Sequence, residues 1–300
     1  MIKAFVNTSR MSPQNRSTIH QLHRELQAVH QRLATREQEL TDALQSAAHI
    51  QRSLIPRRPP NFHRLRYAWC FAPFKKVGGD LFNVATLDEG TIMTYLIDVS
   101  GHGLASAMVS VAVHQTLSPT TGNLLKRPLG YRPYYRITSP REVLAELEVE
   151  YPFERFEEFF TIAYLLLNPH TGRVRYGNAG HPAPLLLRQD GTLERLDRGG
   201  PLIGLNRRGE DDEGEAQLRE GDRLFLYTDG LVEQTNADGD VYSEERLVAS
   251  LLSQAGNDLD EACREGLAAQ RRFAGTVPPQ DDTTLLAIEY SSRELVGLAT

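Results

Sequence analysis

Four places in the chain put aspartates where an apolar segment meets a turn. Asp80 follows two glycines directly before one apolar segment, and Asp98 and Asp229 each end another. Asp281 and Asp282 stand together directly before the last one. An ionised carboxylate taken out of water is costly unless it is paired or binds a cation. Aspartates held at strand ends by turns can converge without burying a charge in mid-sheet, so we predict that these five form one acidic site.

Such a cluster is suited to hard divalent cations. Carboxylate oxygens favour Mg²⁺ or Mn²⁺, whereas zinc sites use Cys and His at short spacings that this sequence lacks. A single Asp-Gly pair would be an ordinary turn, but here each of the four places adjoins a strongly apolar segment. Residues 91–103 show the pattern most fully, because an apolar run leads into Asp98 and is followed by two glycines and a long apolar segment. We therefore predict that Asp98 is the centre of a divalent-metal site.

The segments around these aspartates predict an α+β protein. Because strand-like segments come in runs and helix-like segments come in runs, the pattern favours antiparallel sheets over a Rossmann-like arrangement. A buried helix is predicted over residues 102–117, a second from a cap at Thr138 or Ser139 to about residue 150, and amphipathic helices over 243–253 and 259–273. Strands are predicted over residues 67–74, 80–87, 91–97, 159–167, 173–178, 183–188, 193–196, 223–228 and 283–290.

A long helix is predicted ahead of this region. Residues 1–16 are polar and predicted to be disordered. From Ile19 to Leu54, apolar residues recur at heptad a and d positions, broken only by Arg36, and no Gly or Pro interrupts before Pro56. A sustained heptad repeat indicates a coiled coil. We predict that residues 17–56 form a homodimer; the alternative is one long helix packed on its own domain.

Composition sets the remaining boundaries. Residues 57–66 begin Arg-Arg-Pro-Pro and are predicted to be a stiff linker. Residues 67–290 are predicted to be one domain, and residues 291–300 a tail.

The net charge of −6 implies no general affinity for nucleic acid or an anionic membrane. No apolar run approaches the ~20 residues of a membrane span, and we expect no signal peptide in residues 1–16. The two cysteines form no disulfide framework. We predict a cytoplasmic protein.

Residues 118–138 combine basic and aromatic side chains with Pro and Gly interruptions. The simpler prediction is a solvated surface loop. The alternative is a contact for an acidic or phosphorylated partner. The cluster consists of Lys126, Arg127, Arg132, Tyr134, Tyr135 and Arg136.

Five motifs, in order over roughly residues 67–290, resemble one family. Together they are similar to the metal-dependent, PPM-type (type 2C) protein serine/threonine phosphatases, specifically the branch of the stage II sporulation protein E and RsbU phosphatases. Residues 50–56 are similar to that family's linker into the catalytic domain. The motifs are Ala72-Pro73 with Val77-Gly78-Gly79-Asp80, Asp98-Val99-Ser100-Gly101-His102-Gly103, Asn178-Ala179-Gly180-His181-Pro182, Tyr227-Thr228-Asp229-Gly230, and Asp281-Asp282-Thr283-Thr284.

The resemblance implies an antiparallel β-sandwich flanked by helices, with two Mn²⁺ or Mg²⁺ ions at one edge. Asp98 would bridge both ions, and the backbone carbonyl of Val99 would bind one. Asp229 and Asp281 would complete the coordination of the other ion, and Asp80 would hold metal-bound waters. Asp282 is either the alternative ligand to Asp281 or a residue that supports the turn.

The general acid is left open. The wider superfamily has a His two residues after the bridging Asp, where this chain has Ser100. His102 and His181 are candidate acids, although we expect each to be a structural residue beside its glycine. We assign no Arg to phosphate binding.

The implied function is hydrolysis of phosphoserine or phosphothreonine on a partner protein by direct attack of a metal-activated water, with Asp98 and Asp229 as catalytic residues. The family suggests an anti-sigma-factor antagonist as the substrate. In the family, the helix after Asp98 and the next one act as a switch that couples an upstream dimerising segment to metal binding. We therefore expect a signal or an activator protein to act through the coiled coil.

Two alternatives remain. One is a catalytically weak phosphatase-like scaffold that binds a phosphoprotein through its domain and coiled coil. The other is a different two-carboxylate enzyme such as a nucleotide cyclase, which the absence of a phosphate-cradling Gly loop disfavours.

Overall fold

A computed structural model describes residues 13–58, 62, 64–101, 103–120, 124–205 and 213–291 of the chain. The predicted disorder of residues 1–12 and the predicted tail beyond residue 291 lie outside the described residues. The chain divides into two units between Ala47 and Ala48. This division lies inside the first helix and not at residue 56, because Ala48, Gln51 and Ile55 are buried in the second unit.

The first unit consists of helix α1 (Pro13–Leu54) up to Ala47. The helix begins four residues before the predicted start at residue 17, since proline is tolerated in the first turn, where its missing N–H is not needed. The apolar stripe faces outward, and Leu26 and Leu33 are 53% and 55% exposed. Within this unit the stripe therefore offers an apolar seam, as the coiled-coil prediction requires.

The second unit is an antiparallel β-sandwich flanked by helices, as predicted. Its strands are β1 (Leu65–Ala72), β2 (Leu81–Asp88), β3 (Thr91–Val99), β4 (Lys126–Pro128), β5 (Tyr135–Ile137), β6 (Phe160–Leu167), β7 (Arg173–Ala179), β8 (Leu185–Leu187), β9 (Leu193–Arg195), β10 (Gly199–Gly200), β11 (Gly214–Gln217), β12 (Arg223–Tyr227) and β13 (Thr283–Tyr290). Its further helices are α2 (Leu104–Thr116), α3 (Pro140–Glu150), α4 (Phe153–Phe156), α5 (Asp229–Val232), α6 (Glu244–Ser253) and α7 (Leu259–Ala274).

Two large sheets form the sandwich. One has the order β1-β13-β12-β8-β9, and the other has the order β10-β7-β6-β3-β2 with β11 beside β7. Helices α2 and α3 pack on the second sheet, and α7 packs on the first with α6 against it. The central strands are apolar along most of their length, so they are buried from both sides. The ends of β3, β12 and β13 that carry aspartates are thereby held in a rigid frame.

The structure corrects the prediction of a solvated loop over residues 118–138. Part of this segment forms the hairpin β4–β5, which is fixed to α3 by ion pairs from Arg127 to Glu146 and from Arg136 to Glu142. Ser139 caps α3 with the capping box that the sequence predicts. The basic side chains Arg127 and Arg136 therefore bind this chain's own carboxylates.

The described helices include none that is both long and apolar enough to cross a lipid bilayer.

Candidate metal centre

Asp98 lies near the end of β3, directly opposite Thr161 of β6. A residue pair in this register shares one face of the sheet. His181 bonds to Thr161 on that face through its Nδ1, 2.7 Å from Oγ1. The Asp98 side chain is partly buried, as expected for a carboxylate at the open end of a sandwich.

Asp80 connects the two sheets at this end. Its Oδ2 accepts hydrogen bonds from the hydroxyls of Thr228 (2.8 Å), directly after β12, and Thr284 (2.5 Å), within β13. Its Oδ1 is buried and has no hydrogen-bond partner among the described residues. A buried carboxylate oxygen left in this state is a ready acceptor for a water molecule or a cation. The prediction that Asp80 holds metal-bound waters remains a proposal.

Asp282 supports the glycine turn ahead of Asp80. Its Oδ2 accepts the N–H of Gly79 at 2.7 Å, and its Oδ1 accepts the N–H of Phe74 at 2.7 Å. A side chain at Gly78 would collide with this carboxylate, because its Cβ would lie 2.0 Å from Oδ2. Asp282 is buried, whereas its neighbour Asp281 is exposed. This geometry favours Asp281 as the ligand and Asp282 as the support of the turn.

Asp229 begins the short helix α5, and Glu233 follows it one helical turn later. Glu233 has a raised pKa, caused first by partial burial and then by the charges of Asp229 and Asp281. This sixth carboxylate was not among the residues predicted from the sequence. The spacing of four residues between Asp229 and Glu233 is the signal that could have found it, because it places both on one helix face.

The electrostatics indicate that these carboxylates lie close enough to affect one another's ionisation. Burial raises the pKa of Asp98 to about 10, and the charges of Asp80, Asp229, Asp281 and Asp282 add to the increase. Burial, and next the charge of Asp282, also holds the pKa of Asp80 well above its ordinary value. Like charges oppose one another's ionisation in this way unless a cation compensates them.

The residues present fit divalent cations in their chemistry. The donors are carboxylate oxygens, which suit Mg²⁺ or Mn²⁺, and Asp80 offers an unpartnered buried oxygen. A Cβ on Gly79 would come within 2.4 Å of the Val99 carbonyl oxygen, so only glycine fits against that carbonyl. No group of three His, Cys, Asp or Glu side chains in the described part of the chain has a preformed metal-binding arrangement.

Of the two candidate acids, His102 and His181, the structure describes only His181 and gives it no support. His181 is buried, its backbone is fixed by the Asn178 side chain, and burial lowers the pKa of its imidazole to about 3. Ser100 donates to Glu158 at 2.6 Å and accepts the N–H of Phe159, so its hydroxyl supports a turn. His102 lies outside the described residues.

Replacing Asp282 with Ala should destabilise the metal-free protein by about 2 kcal/mol more than replacing Asp281 with Ala. Both variants remove one negative charge from the cluster, but only Asp282→Ala leaves the Phe74 and Gly79 N–H groups without their acceptor. Urea unfolding in the presence of a chelator measures the difference. Equal destabilisation would contradict the assignment of Asp282 to the turn.

The chain is similar to several known proteins. The family model described as Stage II sporulation protein E (SpoIIE) matches residues 88–291. The phosphoserine phosphatase RsbP of Bacillus subtilis is 31% identical over 165 residues, 53% of this chain and 38% of RsbP. The phosphoserine phosphatase RsbU of the same organism is 25% identical over 215 residues, 70% of this chain and 59% of RsbU. The chain therefore spans about two fifths to three fifths of the length of these relatives.

Solved structures show the same fold. The SiaA PP2C domain of Pseudomonas aeruginosa superposes with a TM-score of 0.69 at 19% identity, covering 85% of this chain and 98% of that one. The phosphatase domain of SpoIIE from Bacillus subtilis, with a fragment of its regulatory domain, gives a TM-score of 0.60 at 14% identity, covering 77% and 64%. With the family match and the shared sandwich, the chain belongs to the SpoIIE family and has the fold of a PP2C-type phosphatase domain.

Proposed function

We propose that this protein is a Mn²⁺- or Mg²⁺-dependent phosphatase that hydrolyses phosphoserine or phosphothreonine on a partner protein. The observation that carries the proposal is the convergence of five aspartates from four segments on one end of the sandwich. A site that raises a carboxylate pKa this strongly is suited to binding cations and, through them, a phosphate group.

The chain's own residues divide into ligands and supports. Asp98, Asp229, Asp281 and the Val99 carbonyl would hold the ions, and Asp80 would hold their waters, while Asp282 keeps the glycine turn in place. Two bound cations would activate a water and neutralise phosphoryl charge. The PstP catalytic domain, 16% identical with a TM-score of 0.52, was solved in complex with two manganese ions. We propose two ions here as well.

The relatives' names support a phosphoserine substrate, since both RsbP and RsbU are named phosphoserine phosphatases. An anti-sigma-factor antagonist remains our predicted partner, and the cytoplasm remains our predicted location. A catalytically weak scaffold would instead bind a phosphopeptide without hydrolysing it, so one assay separates the two functions.

Mn²⁺-dependent hydrolysis of p-nitrophenyl phosphate tests the proposal. Asp98→Asn and Asp229→Asn should each lower kcat/KM by roughly 100-fold or more, because each removes a charge that holds a cation at the reacting phosphate. Asp238→Asn, an exposed aspartate beyond α5, is the matched control and should retain wild-type activity. Activity that survives both substitutions would refute the two-metal proposal, and phosphopeptide binding without turnover in the wild type would favour the scaffold.

We also propose that residues 17–56 form a parallel coiled-coil dimer. The double variant Leu26→Glu, Leu33→Glu should convert a dimer into a monomer in analytical ultracentrifugation, since it puts charges into the exposed apolar stripe. Gln31→Glu with Gln45→Glu adds the same charge outside the a and d positions and should leave the dimer intact. An unchanged mass for the Leu26, Leu33 variant would exclude this dimer.

The last turn of α1 supports a regulatory role for that helix. Buried Gln51 donates to the Gly78 carbonyl at 2.7 Å and to the Ser110 hydroxyl at 3.1 Å, and it accepts the Gly78 N–H at 3.3 Å. One amide therefore joins α1, the glycine turn before Asp80 and helix α2. We propose that a signal carried by α1 reaches the acidic site through this contact.

Gln51→Leu should raise the Mn²⁺ concentration for half-maximal activity several-fold. The leucine fills similar space but leaves the Gly78 backbone groups without partners, which loosens the turn that holds Asp80. Gln45→Leu, an exposed glutamine on the same helix, is the control. An unchanged Mn²⁺ titration in Gln51→Leu would show that this contact does not act on the site.

A further inference from the structure

Three exposed apolar residues lie on backbone segments that meet at the start of β6. Phe159, directly before β6, is 37% exposed; Phe153, which begins α4, is 42% exposed; and Leu205 is 48% exposed. We call these three residues the apolar rim. Clustered exposed apolar residues on a soluble protein indicate a surface that another molecule covers.

Hydrogen bonds connect the backbones that carry the rim. The Phe153 N–H donates to the Gly204 carbonyl at 3.3 Å, and residues 160 and 203 exchange two backbone bonds. Gly204 itself lies against Phe159, since a Cβ built on it would be 3.4 Å from the Phe159 Cβ. The rim is therefore built from segments fixed to one another.

Strand register places Phe159 on the face that carries Asp98. Asp98 pairs with Thr161, and the ladder continues to the Ser100 N–H, which donates to the Phe159 carbonyl at 2.8 Å. Phe159 is two residues from Thr161, so both side chains lie on the same face. Diagonal neighbours of this kind have Cβ atoms about 7–8 Å apart, within reach of an aromatic ring.

The spacing of residues along an extended peptide indicates which substrate residue would contact Phe159. An extended chain rises about 3.3 Å per residue, so a residue two positions from a phosphoserine lies about 7 Å from it. A peptide that runs from Asp98 toward Phe159 along this face would bring that residue within reach of the Phe159 ring. The ring offers apolar contact there, which favours an aliphatic or aromatic partner side chain over a polar one.

We propose that the apolar rim, with Phe159 at its centre, binds an apolar side chain two residues from the phosphoserine of the substrate protein. The inference rests on the proposed phosphatase function. It makes Phe159 a specificity-determining residue of the surface that surrounds the acidic site, with Leu205 and Phe153 extending the contact.

Paired synthetic peptides test the proposal. They carry one phosphoserine and differ only in having Leu or Asn two residues away on each side, and kcat/KM is measured for both with Mn²⁺. The wild type should prefer the Leu peptide by roughly tenfold, mainly through KM, because one apolar contact discriminates by about that factor. In Phe159→Ser the ratio should fall to about twofold or less, and Leu205→Ser should lower it partly.

Val149→Ser is the matched control, because Val149 is an exposed apolar residue of α3 outside the rim, 78% exposed. It should keep the wild-type ratio. A wild type without preference, or a Phe159→Ser variant that retains it, would overturn the inference. If the wild type hydrolyses neither the peptides nor p-nitrophenyl phosphate, the proposed phosphatase function itself fails. If it hydrolyses p-nitrophenyl phosphate but shows no preference between the peptides, only the proposed role of the apolar rim is refuted.

Discussion

Repulsion among carboxylates at one end of the sandwich is the constraint on which the rest of the structure depends. Asp98 reaches a pKa of about 10 because burial and four neighbouring aspartates oppose its ionisation. Burial and neighbouring charges favour the protonated form of such a group, and a stiff frame keeps the carboxylates together. Here two sheets, both buried over most of their central strands, supply that stiffness.

Part of the charge is compensated by the protein itself. Two threonine hydroxyls bond to Asp80, and backbone N–H groups of the glycine turn bond to Asp282. These bonds favour the ionised forms and oppose the effect of burial on the two carboxylates. In the proposed function, Asp98, Asp229 and Asp281 would bind the divalent cations, while Asp282 supports the glycine turn.

Much of the fold was predictable because local signals were strong. The strand at 283–290 was predicted with its observed bounds, and that at 91–97 extends by only two residues, since both are β-branched apolar runs that end at turns. The hairpin β4–β5 was not predicted, because its strands have three residues each and depend on pairing with each other and with carboxylates of α3. Helix α1 begins earlier than predicted because residues 13–16 were assigned to the polar, disordered segment, although proline is tolerated in a first helical turn.

The sequence by itself determined which residues could carry metal chemistry, because aspartates at the ends of apolar segments and glycines before them are local features. It also determined the α+β class and the amphipathic seam of α1. Only the tertiary structure decided that Asp282 supports a turn 203 residues away and that Gln51 contacts Gly78 and Ser110. These roles depend on which backbone groups the folded sheets bring within hydrogen-bond distance, and residue spacing along the chain carries no record of that proximity.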